Sequence, residues 1–287
     1  VTSLEGQLLS THLGGKIRAV ETWFDEDPVS FKGVDVWICY RRSHPVSSRG
    51  WLYFYTIQMD LNLSPEALLK KMRESTMRDI LAARDKDKLT TLFNTSPSED
   101  DIDAFARHYD ENPLIEGQSP IDRGRLRALK STGLVNLAEV QDMEGTVLVR
   151  HFLQCHKRSG IVQPCYQVSL LYRNADDPAK KRTIGRANRF LYYSEFLFYK
   201  AQGFQIYDQN GWYAGIEDEK RLKINLFKEG FGGRILYGYD CEKAVSLRGW
   251  IYLMLRAIKR CLLQPEKQKD IRRRRKKAPR LPEGTQP

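Results

Sequence analysis

The stretch LKINLFKEGFGGRIL, residues 222–236, begins with helical spacing and ends as a strand, and three glycines crowd the join. Gly230 reads as the helix stop. Gly232 and Gly233 are more than a stop requires. They predict a place where the chain reverses tightly, with its backbone pressed close against a sheet. Before the glycines, EDEKRLKINLFKE (217–229) reads as a helix with an acidic start. After them, RILYGYD (234–240) reads as a strand, and SLRGWIYLMLRAIKRCLL (246–263) as a final helix.

Working back from that point, FQIYDQN (204–210) is a strand, entered from a helix that stops at Gly203. In that helix Ala187, Phe190, Leu191, Ser194, Leu197, Phe198 and Ala201 fall on one apolar stripe, with Glu195 beside it and facing solvent. CYQVSLLYR (165–173) is the strand before it. From 165 to 240 the order is therefore strand, helix, strand, helix, strand, which predicts a mixed α/β arrangement with at least one parallel crossover.

Further upstream, VNLAEV (135–140) and TVLVRHFLQC (146–155) flank the turn QDMEG as a hairpin. Helices are expected over 64–84, opened by Ser64-Pro65-Glu66, over 96–109 and over 121–131, with a strand at 88–94. Strands at 16–24, 34–40 and 50–61 are closely spaced, which predicts antiparallel neighbours. The whole reads as one α/β (α+β) domain over 1–263, built on a mixed, mostly antiparallel twisted sheet flanked by helices.

The net charge of +11 is uneven. From Gln264 onward nine Lys/Arg stand against Glu266, Asp270 and Glu283, which makes 264–287 a basic tail whose densest part is IRRRRKKAPR (271–280). Such a run is a solvated terminus or a contact for a polyanion, RNA or an anionic membrane surface. Five scattered cysteines without a CxxC pair argue for a reducing, cytoplasmic setting and against a zinc ribbon; no metal site is expected. No run of 18 apolar residues occurs, so no integral membrane span is expected. GxxxxGK[ST] and GxGxxG are both missing, which argues against a P-loop kinase or a dehydrogenase.

RTIGRA (182–187) follows a strand and is read as opening the striped helix. Small residues there would let N–H groups of a helix start approach an anion, with Arg182 and Arg186 adding charge. This segment resembles the Arg/Gln-x-x-Gly-x-Gly/Ala pyrophosphate motif of the GNAT superfamily of N-acyltransferases, at Arg182, Gly185 and Ala187. GFQIYDQNGW followed by KINLFKEGFGG resembles the FemAB-like branch of that superfamily, through Gly203, Tyr207, Asp208, Phe227, Lys228, Phe231, Gly232 and Gly233. ESTMRDILAARDK (74–86) and the helix of 186–204 also resemble that branch. The resemblance covers roughly residues 55 to 240. It departs from the family at Asp208-Gln209-Asn210-Gly211-Trp212, where two glycines usually follow.

The resemblance implies a GNAT-like fold and transfer of an acyl or aminoacyl group to an amine on a small molecule or peptide. The donor would be acyl-CoA or aminoacyl-tRNA, used as a co-substrate, with no permanently bound cofactor. Arg182, Gly185, Arg186 and Ala187 are then the candidates for donor phosphate, and tRNA is a candidate partner. Proton transfer needs a carboxylate or a phenol near the reacting amine; Asp208, Glu217 and Glu195 are the candidate carboxylates, and Tyr207 and Tyr213 the candidate phenols. Trp212, Tyr213 and Lys228 are candidates for the substrate cleft. Residues 1–60 would be the remnant of a second lobe. The competing reading is a non-catalytic GNAT-like protein that binds RNA or a partner through its tail.

Overall fold

A computed structural model describes residues 7–28, 33–46, 51–112, 120–170 and 177–263. The basic tail from residue 264 and the last part of the strand expected at 165–173 lie outside the described residues. In chain order the elements begin with β1 (Leu8–His12), β2 (Ile17–Trp23), β3 (Val36–Arg42) and β4 (Trp51–Asp60). Next come α1 (Pro65–Lys71), α2 (Glu74–Asp85), β5 (Thr90–Asn94), α3 (Glu99–Asp110) and α4 (Arg123–Lys130). The hairpin strands are β6 (Val135–Gln141) and β7 (Val147–His156), followed by β8 (Ile161–Ser169). The chain continues with α5 (Pro178–Ala201), β9 (Ile206–Gly211), α6 (Glu219–Glu229), β10 (Arg234–Ala244) and α7 (Leu247–Leu263).

Two compact units divide the chain. One comprises Val1–Thr56, Gly211–Ala214 and Ile235–Pro287; the other comprises Ile57–Asn210 and Gly215–Arg234. In the first unit β1 and β2 form an antiparallel hairpin, and β3 pairs antiparallel with β10. β2 and β3, expected to be antiparallel, run parallel, with Ala19 opposite Val36 and Trp23 opposite Tyr40. The connection over 24–35 is long enough for the return crossing that a parallel pair requires. Strand β1 was not anticipated. Tyr252 and Leu253 of α7 cover Ile17, Ala19, Val36 and Ile38.

The second unit orders its strands β4, β9, β8, β7, β6, β5. Neighbours from β5 to β8 are antiparallel, and β8 with β9 is the parallel pair predicted for strand–helix–strand. Its core gathers Met59, Leu61, Leu68 and Ile80 with the inner face of α5 and with Phe231. The helix expected over 64–84 is two helices. Met72 is extended, and the Arg73 N–H leaves the helical ladder to donate to the Gly230 carbonyl at 2.9 Å.

α5 also begins earlier than its stripe suggested. Asp177 caps it, accepting from the N–H groups of Ala179 and Lys180, and Pro178 takes the first turn. Its buried face runs through Ile184, Ala187, Leu191, Tyr192, Glu195, Phe196 and Tyr199 rather than through Ser194, Leu197, Phe198 and Ala201. The expected stripe is right at its start and rotated at its end, because the large aromatics turn toward the sheet. Tyr192 lies 5.0 Å from Phe231, and Phe196 lies 4.8 Å from Tyr207, ring centre to ring centre. Each fully buried aromatic of this kind contributes roughly 2–3 kcal/mol.

The glycine stretch meets its steric expectation. Gly230 is the helix cap in right-handed conformation, and the left-handed residue is Gly232, at φ 78°. A Cβ at Gly232 would collide with the Lys71 carbonyl. One at Gly233 would lie 2.8 Å from the Gln58 carbonyl oxygen and 2.5 Å from Ile57 Cγ2. The reversal thus clamps the start of β10 against β4 and the end of α1 with no space for side chains. Gly232→Ala is expected to cost about 3 kcal/mol or more, from the left-handed backbone plus the forced displacement of a neighbouring chain. Gly145→Ala, also left-handed at φ 77° but in open space, is expected to cost about 1 kcal/mol. Urea denaturation of the two variants measures the difference.

Candidate functional site

The site is built where β8 and β9 part. Their parallel register holds for two pairs only, Ile161 with Ile206 and Val162 with Tyr207. β8 runs on to Ser169 and β9 to Gly211. Pro164 stands just past the last pair and has no N–H to give. The β7–β8 register also shifts here, leaving Cys165 as an extra residue between Pro164 and Tyr166. A proline inside a strand is confined to edges and bulges, and this is a bulge.

β9 bends at the same level. Asn210 is left-handed at φ 63°, its N–H donates to Asp208 Oδ1 at 2.7 Å, and its side-chain amide reaches the Pro164 carbonyl at 3.2 Å. A side chain therefore bridges the strands where the backbone ladder has ended. Asp208 is fully buried, and its second oxygen accepts from the Gln58 amide at 2.9 Å.

Lys228 comes to this bend from the last turn of α6. Its Nζ donates to the Asn210 carbonyl at 3.0 Å, and its side chain is almost wholly buried. Burial pulls its pKa down to about 8, against the upward pull of the Asp208 carboxylate. Beside this pair Gln209 is fully buried, and neither its amide oxygen nor its amide nitrogen has a hydrogen-bond partner. A buried amide left unpaired costs about 1–3 kcal/mol. Gln163 and Gln154 meet nearby at 3.1 Å, with the Cys165 thiol on the Gln154 oxygen at 2.9 Å.

A second buried constellation lies between the sheet and α5. Glu195, expected to face solvent, is fully buried. Tyr207 donates its hydroxyl to Glu195 Oε2 at 2.5 Å, and His151 Nδ1 lies 2.9 Å from Oε1. His151 Nε2 is 3.2 Å from Asn188 Oδ1. Burial, with the Glu195 charge adding to it, holds the Tyr207 hydroxyl well above its ordinary pKa. Tyr207 is thus fully buried and hydrogen-bonded away from solvent, and its side chain serves to tie β9 to α5.

The structure brings together Asp208 and Lys228 of the expected residues, and it separates others. RTIGRA lies in the second and third turns of α5, so the N–H groups of 185–187 belong to the helical ladder. The Arg186 guanidinium is held by both oxygens of Asp87, at 2.6 and 2.9 Å. Arg182 is exposed, as are Lys180 and Lys181 before it. Glu217 is exposed ahead of the α6 cap. Trp212 and Tyr213 belong to the first unit, where the Trp212 N–H donates to the Tyr55 carbonyl at 2.7 Å. A cleft of about 290 Å³ also opens in the second unit beside Phe93, Phe105 and the Glu139–Arg150 ion pair, and none of its lining comes from β8, β9 or α6.

Sequence reasoning missed Pro164, Gln209 and the His151–Glu195 pair. Only the first had a local signal, a proline inside the β-rich run IVQPCYQVS (161–169). Solved structures share the overall fold. FemX matches with a TM-score of 0.59 over 86% of this chain and 85% of its own, at 10% sequence identity. The chain shares the fold of FemX. The C-terminal domain (DUF2156) of a protein assigned as a lysylphosphatidylglycerol synthetase, from Agrobacterium fabrum, matches with a TM-score of 0.50 over 89% of each chain, at 12% identity. No family model and no curated protein matches the sequence itself.

Removing the Glu195 carboxylate strands two buried groups at once. Glu195→Ala is expected to cost about 3 kcal/mol or more, because it leaves the His151 ring and the Tyr207 hydroxyl without their shared acceptor. Tyr207→Phe, which removes one hydrogen bond and keeps the ring packing, is expected to cost about 1–2 kcal/mol. Thermal melts of both variants test the order.

Proposed function

We propose that this chain is an N-acyltransferase that moves an acyl or aminoacyl group from a phosphate-bearing donor, acyl-CoA or aminoacyl-tRNA, to an amine. The observation that carries the proposal is the parting of β8 and β9, with a buried lysine at its bend, in a FemX-like fold. The name of one neighbour, a lysylphosphatidylglycerol synthetase, supports transfer of an aminoacyl group, and the resemblance to N-acyltransferases supports both donors.

In this reading the acyl chain of the donor lies between the parted strands, beyond Val162 and Tyr207. The acceptor nitrogen attacks the acyl carbon, and a new C–N bond forms as negative charge develops on the carbonyl oxygen. Collapse breaks the C–S bond of a thioester or the C–O bond of an ester. The leaving atom takes up a proton, and the amine loses one. Lys228 is the group suited to the developing charge. At neutral pH an amine with a pKa of about 8 is mostly ammonium, and a buried ammonium stabilises an oxyanion more than an exposed one does. Asp208 keeps that charge in place, fixed by Gln58 and by the Asn210 N–H. Gln209 supplies amide hydrogen bonds to the donor or the acceptor. Arg182, with Lys180 and Lys181, offers the donor phosphates an exposed basic face. Gly185 and Ala187 make the helix slim there without presenting free N–H groups.

Purified protein incubated with radiolabelled acyl-CoAs and aminoacyl-tRNAs and a panel of amines is expected to transfer label. No transfer, together with no binding of either donor, overturns the proposal, as does RNA binding by the tail as the only measurable property. Lys228→Met is expected to lower transfer about a hundredfold, and the wild-type rate is expected to fall as pH rises through about 8.

The stability effect has the opposite sign. Because the folded-state pKa is depressed from 10.5 to about 8, burying the cation costs stability in full below pH 8. That cost is relieved as pH rises toward the unfolded value. Lys228→Met is therefore expected to be at least as stable as wild type at pH 7, by up to about 3 kcal/mol, and to lose that advantage between pH 8 and 10.5. Gln209→Leu is expected to gain about 1 kcal/mol while lowering transfer, a pairing that a purely structural glutamine would not show.

A further inference from the structure

Helix α7 presents two faces, and the fold uses one. Gly249, Tyr252, Leu253 and Arg256 turn inward. Gly249 packs on the Asp35 carbonyl, Tyr252 stacks on His12 at 5.5 Å, Leu253 lies on the β2–β3 apolar cluster, and Arg256 pairs with Glu242. The outer face carries Leu247, Trp250, Ile251, Met254, Leu255 and Ile258, spaced as one helical row, and Leu262 extends it. These are large apolar side chains in the open: Leu247 and Leu262 are each 74% exposed and Trp250 is 56% exposed. Scattered exposed leucines need no explanation, but a continuous row of this length marks a contact surface.

The charges beside the row select what it contacts. Lys243, Arg248 and Lys259 are exposed on or next to α7. The sequence after Leu263 then carries nine Lys/Arg against three acids, with six basic residues in succession from Arg272 to Lys277. A second copy of the chain is a poor occupant, because α7 carries Arg248 and Lys259 and no acidic residue, so a two-fold seam along it would set cation against cation. An anionic bilayer surface satisfies both features: the apolar row enters the headgroup–acyl boundary, and the cations meet lipid phosphates. The helix is placed to lie in the plane of the surface, since its inner face is held by β2 and β3 and, among the described residues, no helix is long and apolar enough to cross a membrane.

We propose that the outer face of α7, with the exposed cations Lys243, Arg248 and Lys259 beside it, binds the surface of an anionic lipid bilayer. This inference is independent of the transfer chemistry. The test is flotation of the full chain with vesicles of phosphatidylcholine alone and of phosphatidylcholine mixed with phosphatidylglycerol, at low and high salt. Wild type is expected to float with the mixed vesicles at low salt, at least tenfold more than with phosphatidylcholine alone, and to be released in part by high salt. The double variant Trp250→Glu, Leu255→Glu is expected to lose binding at least tenfold. Leu262→Glu, at the exposed end of the row, gives a second reading should the double variant melt early. Wild type that stays unbound with the mixed vesicles overturns the proposal, as do helix variants that bind as wild type does. A wild-type dimer that Leu262→Glu splits, with no vesicle binding, assigns the face to a second copy and overturns it as well.

Discussion

One missing donor organises the second unit. Pro164 cannot give an N–H to a ladder, so the parallel pairing of β8 with β9 ends after Val162 and Tyr207. The neighbouring features follow from that end. The bulge at Cys165 absorbs the register shift against β7. Asn210 turns left-handed and lends its side chain to the Pro164 carbonyl, and its own carbonyl is taken by Lys228. Past Val162 and Tyr207 the two strands are joined by a side-chain contact in place of the backbone ladder.

An opening between strands is stable only if both sides are held from behind. β9 is held by the Tyr207 hydroxyl on Glu195, and β7 by His151 on the same carboxylate, so α5 fixes two strands through a single buried group. From the other direction, the Gly232–Gly233 reversal presses the entry of β10 onto β4 and the end of α1, and Phe231 fills the aromatic core beside Tyr192. Rigid surroundings of this kind let a buried lysine keep a lowered pKa: a mobile loop would admit water and restore it.

How much of this was legible in the sequence depended on whether the cause was local. The glycine stretch was readable because a left-handed backbone and a close approach leave the same local mark, a residue with no side chain. The parallel β8–β9 crossover was readable because a helix between two strands permits little else. The antiparallel expectation for β2 and β3 failed because spacing alone does not fix direction once a connection is long enough to cross back. Glu195 was misplaced because its partners lie 44 and 12 residues away, and no periodicity of its own helix records them. Gln209 was invisible for the same reason in reverse: the lack of a partner is not a property of sequence. The start of α5 is marked locally by Asp177-Pro178, and it takes the N–H groups of 185–187 out of any phosphate nest.

In the proposed reaction the acyl end of the donor enters between β8 and β9, past the end of their ladder. A crystal structure with a non-reactive donor analogue tests it most directly. Density is expected for the acyl end between the two strands, past Val162 and Tyr207, with its carbonyl within hydrogen-bonding reach of Lys228. An analogue bound elsewhere, with the strands still bridged by Asn210 and the Lys228 side chain unmoved, would contradict it.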